Sequence, residues 1–308
     1  MADSNVTGSS AGYIRPAPLK SGDTVGICAP ARKVSRDEIA PAVQTLESWG
    51  LRVRLGKNLF AECRRFAGSD EQRAADLQAM VDDPSLSAVL FARGGYGCAR
   101  LLQRVSFSAL RAHPKWLAGY SDVTALHLAL YRLGVESLHA AMPFSFGDAA
   151  SVNSLRAALF GQDASQELAP HELNVQGFAE GRLTGGNLSV IYSLQATPCE
   201  LLPDNAVLFL EDVDEYLYHI DRMALNLALS GKLGRVKALL VGGMTEMKDS
   251  DPPYGKSACE IIYEHAKPLN IPVAFGFPAG HQRPNVALCM GRKVQLTVSS
   301  ERATLQYL

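Results

Sequence analysis

Net charge is almost absent from this chain. Thirty lysines and arginines against 31 aspartates and glutamates leave a formal charge of -1 over 308 residues, so no basic field exists to attract nucleic acid or anionic lipid. Small molecules are the expected partners. No apolar run is long enough to span a bilayer, and the polar, Ser/Gly-rich residues 1–12 carry neither the positive flank nor the apolar stretch of a signal peptide. A cytoplasmic location is expected. The six cysteines, Cys28, Cys63, Cys98, Cys199, Cys259 and Cys289, form no C-x-x-C pair and no Cys/His cluster, which argues against a zinc site or a redox dithiol and leaves reduced core thiols. No repeat of fixed period is present.

What is present is the composition of a packed globular protein, 47% hydrophobic and 20% charged, with length enough for two domains, each with its own core. In the first half, short apolar runs at residues 24–29, 51–55, 88–92 and 116–118 read as buried strands. Ser35 with Glu38, and Ser69 with Gln72, are capping boxes. The first opens a helix whose inward face is Ile39, Val43, Leu46 and Trp49, ended by Gly50, and the second opens one facing inward through Leu77, Met80 and Val81. Strands alternating with helices predict a parallel, Rossmann-like or flavodoxin-like sheet that places ligands beyond its carboxyl ends.

Residues 145–180, Ala/Ser/Gln/Glu-rich with weak periodicity, are expected to hold the connection between domains, giving an N-terminal α/β domain over 1–150, a linker over 151–180 and a smaller mixed α/β domain over 181–308. The second half offers strands at 206–210, 238–241 and 273–275, helices at 216–229 and 257–269, and a terminal hairpin of 294–298 with 303–308.

Three segments carry chemistry. Arg93-Gly94-Gly95-Tyr96-Gly97 follows a strand, and such a turn lets backbone N–H groups approach a ligand. Its dinucleotide reading is broken, because Arg100 stands where a small residue is needed and no acid follows at the ribose-binding distance. A tight turn requiring positive φ and an oxyanion hole remain open for it. Gly119-Tyr120-Ser121-Asp122-Val123-Thr124 joins a strand to an amphipathic stretch, a place that suits a nucleophile and equally suits a helix N-cap at Ser121 or Asp122. Val123 replaces the final glycine of G-x-S-x-G, and no S-x-x-K occurs, which disfavours a standard α/β-hydrolase and a penicillin-binding type of carboxypeptidase. For the base that a serine nucleophile needs, His281 in the turn-rich loop 276–285 is better set than His127, inside a helix, or His139, in a buried stretch. Glu211 ends a strand at its carboxyl edge. The acids Glu211, Asp212, Asp214 and Glu215, with His219 and Asp221, also admit a metal-hydrolase reading, but no H-E-x-x-H accompanies them and the macrodipole of the following helix accounts for an acidic turn.

Taken in order, the glycine turn at 93–97, the Ser121 turn, Gly181-Arg182-Leu183-Thr184-Gly185-Gly186-Asn187-Leu188, Leu210-Glu211-Asp212 and Gly280-His281 resemble the motifs of the muropeptide L,D-carboxypeptidase family, serine peptidases that also include microcin C immunity peptidases. The resemblance covers nearly the whole chain. It implies a Ser-Glu-His peptidase releasing the terminal D-alanine of muropeptide tetrapeptides, with Ser121 as nucleophile, His281 as base and Glu211, or nearby Glu215, as orienting acid. It further implies an oxyanion hole from the N–H groups of Gly95 and Asp122, substrate contacts from Arg93, Gly94 and Tyr120, no cofactor or metal, and a homodimer. The substrate carboxylate would be bound by Arg93 or by the helix amides after Ser121, and Arg93 is equally explained by a structural ion pair. The alternative within the family is cleavage of a peptide-nucleotide conjugate, for which Tyr216 or Tyr218 would stack the base. Outside it stand a non-catalytic binding protein on the same fold and a nucleotide-dependent oxidoreductase resting on the broken glycine pattern.

Overall fold

The computed structural model describes residues 12–162 and 165–308, so most of the segment read for a signal peptide lies outside the described residues. Five of the six strands of the first sheet are parallel: β1 (Thr24–Cys28), β2 (Arg52–Leu55), β3 (Leu86–Phe91), β4 (Trp116–Gly119) and β5 (Ser137–His139). Their order, β2-β1-β3-β4-β5, is the flavodoxin-like one, with its switch point between β1 and β3. The helices α1 (Arg36–Ser48), α2 (Asp70–Asp82) and α3 (Thr124–Leu133) connect them. Both capping boxes form: Ser35 Oγ accepts from Glu38 N at 3.2 Å while Glu38 Oε2 accepts from Ser35 N at 2.7 Å, and Ser69 with Gln72 repeats the pair. Ile39 and Leu46 of α1 and Leu77, Met80 and Val81 of α2 are buried, each large side chain contributing about 1.5–3 kcal/mol.

The stretch 151–180 is not a bare connection. It contains most of a helix, α4 (Ala149–Leu159), a short strand β6 (Gln166–Leu168) and the start of the long strand β7 (Gly177–Asn187). Only Val152, Leu155, Ala158 and Leu159 of α4 supply its buried apolar face, too sparse a stripe among alanines and serines to show as a period. The second sheet runs β10-β9-β8-β7-β12-β13-β6. In it, β7, β8 (Val207–Val213), β9 (Ala238–Thr245) and β10 (Val273–Ala274) are parallel, and β12 (Lys293–Val298), β13 (Ala303–Tyr307) and β6 are antiparallel additions. The helices α5 (Leu188–Ser193), α6 (Leu217–Leu229) and α7 (Ala258–Ala266) complete the element list.

The halves are laced together. Strand β11 (Leu288–Met290) leaves the C-terminal part to pair antiparallel with β5 of the first sheet, and Arg292, just after it, holds the buried Glu136 carboxylate at 2.6 and 2.9 Å. Leu126 and Leu130 of α3 share one apolar cluster with Leu188 and Ile191 of α5. All six cysteines are free thiols; Cys28, Cys98 and Cys289 are core residues as expected, whereas Cys63 is exposed in a turn. Among the described residues no helix is long and apolar enough to cross a membrane.

Candidate active site

Ser121 follows β4 in a single 3-10 turn, Ser121–Val123, before α3. Its φ of +65° is the left-handed conformation that side chains rarely adopt. Neither Ser121 nor Asp122 caps α3 through its side chain, so the helix-cap alternative does not describe this turn. Gly94 accounts for the tight packing in front of the serine: a Cβ there would stand 3.0 Å from Ser121 Cβ and 3.2 Å from its Oγ. The glycine turn also satisfies the backbone reading, with φ of +106° at Gly95 and +145° at Gly97.

His281 Nε2 lies 3.1 Å from Ser121 Oγ, and His281 Nδ1 lies 2.6 Å from Glu211 Oε2, which also accepts the His281 backbone N–H at 3.2 Å. A carboxylate only accepts, so Nδ1 carries the imidazole proton and Nε2 presents its lone pair to the serine O–H. Glu211 is fully buried. The β8–β9 register slips between Leu210 and Asp212: the extra residue is on β9, where Gly242 and Gly243 stand opposite Glu211 alone. Gly280 allows the approach: its φ is +100°, and a Cβ there would stand 2.6 Å from Glu211 Oε2. The loop around it is pinned by Gly280 N to Asn285 Oδ1 at 2.9 Å, Gln282 Nε2 to Phe277 O at 2.6 Å and Thr245 Oγ1 to His281 O at 2.8 Å. Burial works to lower the His281 pKa, but the hydrogen bond and charge of Glu211, aided by Asp212 and Glu246, outweigh it and hold the imidazole above its usual value.

Glu215 does not share this position. Its carboxylate accepts from His219 Nδ1 at 2.6 Å, a contact made one helical turn away and remote from His281 in the bonding scheme. The remaining acids are also engaged, Asp214 with Lys248, Asp221 with His265, and Asp212 with Asn187 Nδ2 and Ser189 N. His127 and His139 are buried, His127 bonds Ser137 Oγ and Gly119 O, and neither is hydrogen-bonded to Ser121 or His281 among the described residues.

Around the three residues, Tyr120 packs its ring 5.0 Å from that of His281, and burial, followed by the Glu211 charge, pushes its hydroxyl up to about 12. Asp122 turns its carboxylate inward to accept from Cys98 N at 2.8 Å, tying the Ser121 turn to the glycine turn; burial pushes its carboxyl upward. Arg93 makes the ion pair that its sequence left open, 3.0 Å to Glu38, with its guanidinium over Phe144. Gly95, Asp122, Arg93, Ser121 and His281 line one cleft of about 420 Å³ where the carboxyl ends of both parallel sheets meet.

Asn187 and Thr124 stand in two of the sequence motifs, where nothing local indicates the contact between them. Asn187 N donates to Thr124 Oγ1 at 3.0 Å, its Nδ2 to Asp212, and its Oδ1 caps α5, so it joins the helix after the serine to the strand bearing Glu211. Asn at the end of a strand and before a helix is a cap signal legible locally; its partners 63 and 25 residues distant are not. Burial and the neighbouring Glu211 charge push the Asp212 carboxyl up to about 7.

Comparison with known proteins gives this geometry a family. Residues 25–140 match the LD-carboxypeptidase N-terminal domain and residues 180–296 the LD-carboxypeptidase C-terminal domain. A probable murein peptide carboxypeptidase of Bacillus subtilis is 35% identical, over 95% of this chain and 94% of its own. The crystal structure of muramoyltetrapeptide carboxypeptidase from Oxalobacter formigenes superposes with a TM-score of 0.85 at 30% identity, covering 92% of this chain and 98% of that one. The microcin C7 self immunity protein MccF superposes with a TM-score of 0.83 over 94% and 97% of the two chains, but at 22% identity it shows a shared fold alone. With both domain descriptions met in order and close to the whole chain aligned, this protein belongs to the LD-carboxypeptidase family.

Proposed function

We propose that this protein is a serine L,D-carboxypeptidase that releases the terminal D-alanine of muropeptide tetrapeptides, with Ser121 as nucleophile, His281 as general base and Glu211 as its orienting carboxylate. The observation that carries the reading is the hydrogen-bonded chain from Ser121 Oγ through His281 to the buried Glu211 carboxylate, with Ser121 and His281 lining the cleft. Ser121 Oγ attacks the carbonyl of the L-configured centre of the diamino acid while Nε2 takes its proton. The N–H groups of Gly95 and Asp122 receive the developing oxyanion. Collapse breaks the bond to D-alanine, whose nitrogen takes the proton back from Nε2, and water then resolves the acyl-enzyme by the reverse transfers. Murein tetrapeptide is the substrate named for a relative from Pseudomonas aeruginosa, 30% identical over 88% of this chain, which supports the choice. A role in peptidoglycan recycling in the cytoplasm, a homodimeric state and the division into a nucleophile-bearing part up to residue 150 and a Glu/His-bearing part from 181 belong to the same reading.

Against a peptide-nucleotide substrate, the two tyrosines available to stack a base already face one another at 5.5 Å, with Lys248 over Tyr216 and Arg222 over Tyr218. The test is mass spectrometry of the wild type and Ser121→Ala incubated with L-Ala-γ-D-Glu-diaminopimelate-D-Ala. Loss of one D-alanine with the wild type alone is the expected result. An intact tetrapeptide with both proteins refutes the reading for this substrate.

A further inference from the structure

A carboxypeptidase must hold a free terminal carboxylate, and the charges that line the cleft differ in how far they are already committed. Its acids all have partners: Asp122 with Cys98 N, Asp212 with Asn187 and Ser189, Asp214 with Lys248 and Glu215 with His219. Two cations line it, Arg32 and Arg93. Arg93 is already neutralised at 3.0 Å by Glu38, whose other oxygen is engaged in the α1 capping box. The guanidinium of Arg32, by contrast, makes no ion pair, hydrogen bond or ring contact with any described residue.

Arg32 is also placed for the task. It follows β1, one of the two strands that flank the switch point of the first sheet, and its backbone N–H donates to Gly94 O at 3.4 Å. Its stem runs along Gly95, where a Cβ would stand 3.4 Å from Arg32 Cβ and Cδ. Gly94, next in line, is the residue that abuts Ser121. An exposed arginine beside the nucleophile, with its planar fork of donors unspent, is matched by a carboxylate. A glycine at 95 leaves the space in which that fork can turn toward the serine.

We infer that Arg32 is the residue that binds the terminal carboxylate of the substrate and thereby makes the enzyme a carboxypeptidase, while Arg93 serves mainly as the ion-pair partner of Glu38. This rests on the peptidase reading above. It assigns selectivity for a free C-terminus to the β1 loop and not to the glycine turn.

The experiment compares the tetrapeptide ending in D-alanine with the same peptide ending in D-alaninamide, cleaved by the wild type, Arg32→Gln, Arg32→Lys and Arg93→Gln. The quantity read is the ratio of kcat/KM for acid over amide. Loss of a charge-assisted hydrogen bond to a carboxylate corresponds to roughly tenfold to hundredfold, so the ratio falls by that factor in Arg32→Gln, is partly restored in Arg32→Lys and moves less in Arg93→Gln. Arg32 is exposed, so circular dichroism and melting of its variants match the wild type. A ratio unchanged in Arg32→Gln, or lost only in Arg93→Gln, overturns the assignment while leaving the peptidase reading intact. A wild type that cleaves neither peptide overturns both.

Discussion

Replacing Glu211 by Gln tests the proposed triad most sharply, because the structure predicts two effects of different kind. Glu211 Oε2 is 2.6 Å from His281 Nδ1, which places its charge about 4 Å from the centre of an imidazolium formed during the reaction. At an effective dielectric of about 20 the attraction lost is about 4 kcal/mol, or roughly a thousandfold in kcat. The amide can also offer Nδ1 a donor and so favour the wrong tautomer, which extends the expected fall to about ten-thousandfold. The second effect is on pH dependence. A general base must be neutral, so wild-type kcat/KM falls as pH drops through the raised His281 pKa. With Glu211 neutralised, the lowering effect of burial is no longer outweighed, and the acidic limb moves to lower pH even as the plateau collapses. The fold is expected to survive, since the substitution removes a buried charge whose Oε1 has no hydrogen-bond partner among the described residues. D-Alanine release measured across the range in which histidine titrates, with a melting curve of each protein, decides the matter. A loss below tenfold, or an acidic limb that stays put or moves upward, refutes the reasoning.

Two further predictions follow from the backbone and the buried imidazoles. Because Ser121 sits at φ +65°, Ser121→Gly is expected to be more stable than Ser121→Ala by about 1 kcal/mol in urea denaturation, both being inactive, since only glycine adopts that conformation without a Cβ clash; equal stabilities would show that the turn stores no strain. Burial lowers His127 from 6.5 to about 4, so the folded state binds fewer protons than the unfolded one between those values. The stability contribution is therefore complete above about 6.5 and lost as pH falls toward 4, amounting to about 3 kcal/mol at the acid end. His127→Gln should flatten the acid limb of a stability-pH curve by up to one proton's slope, and an unchanged slope refutes the assignment to His127.

How much of this was legible depended on the range of the interaction. The capping boxes at Ser35 and Ser69 showed in the sequence because both partners of each bond lie three residues apart. Strands β1, β3 and β4 showed because they are buried on both faces and read as apolar runs; β2, expected as a buried strand, is the exposed edge of the sheet, and the three residues of β5 are too few to show. The helix α4 did not, its stripe being diluted by small residues, and β7 did not, because Gly181, Gly185 and Gly186 read as loop. Those glycines are there for close packing: a Cβ at Gly181 would stand 2.6 Å from Asn205 O on the way into the neighbouring strand.

The sequence by itself determined the alternating strand-helix order, the ends of the first helices, the near-neutral surface and a short list of candidates for chemistry, since each follows from neighbours a few residues apart. Tertiary structure alone decided among the candidates. Glu211 and Glu215 are indistinguishable as letters four apart, but the fold brings the first to His281 while the second meets His219. Likewise Arg93 stands in the glycine turn as a candidate for the substrate carboxylate, and only the fold shows Glu38 beside it. The physical reason is that Ser121 and His281, 160 positions apart, are brought together by packing of two sheets on a shared apolar core, and no local pattern records which side chains that closure brings within hydrogen-bonding distance.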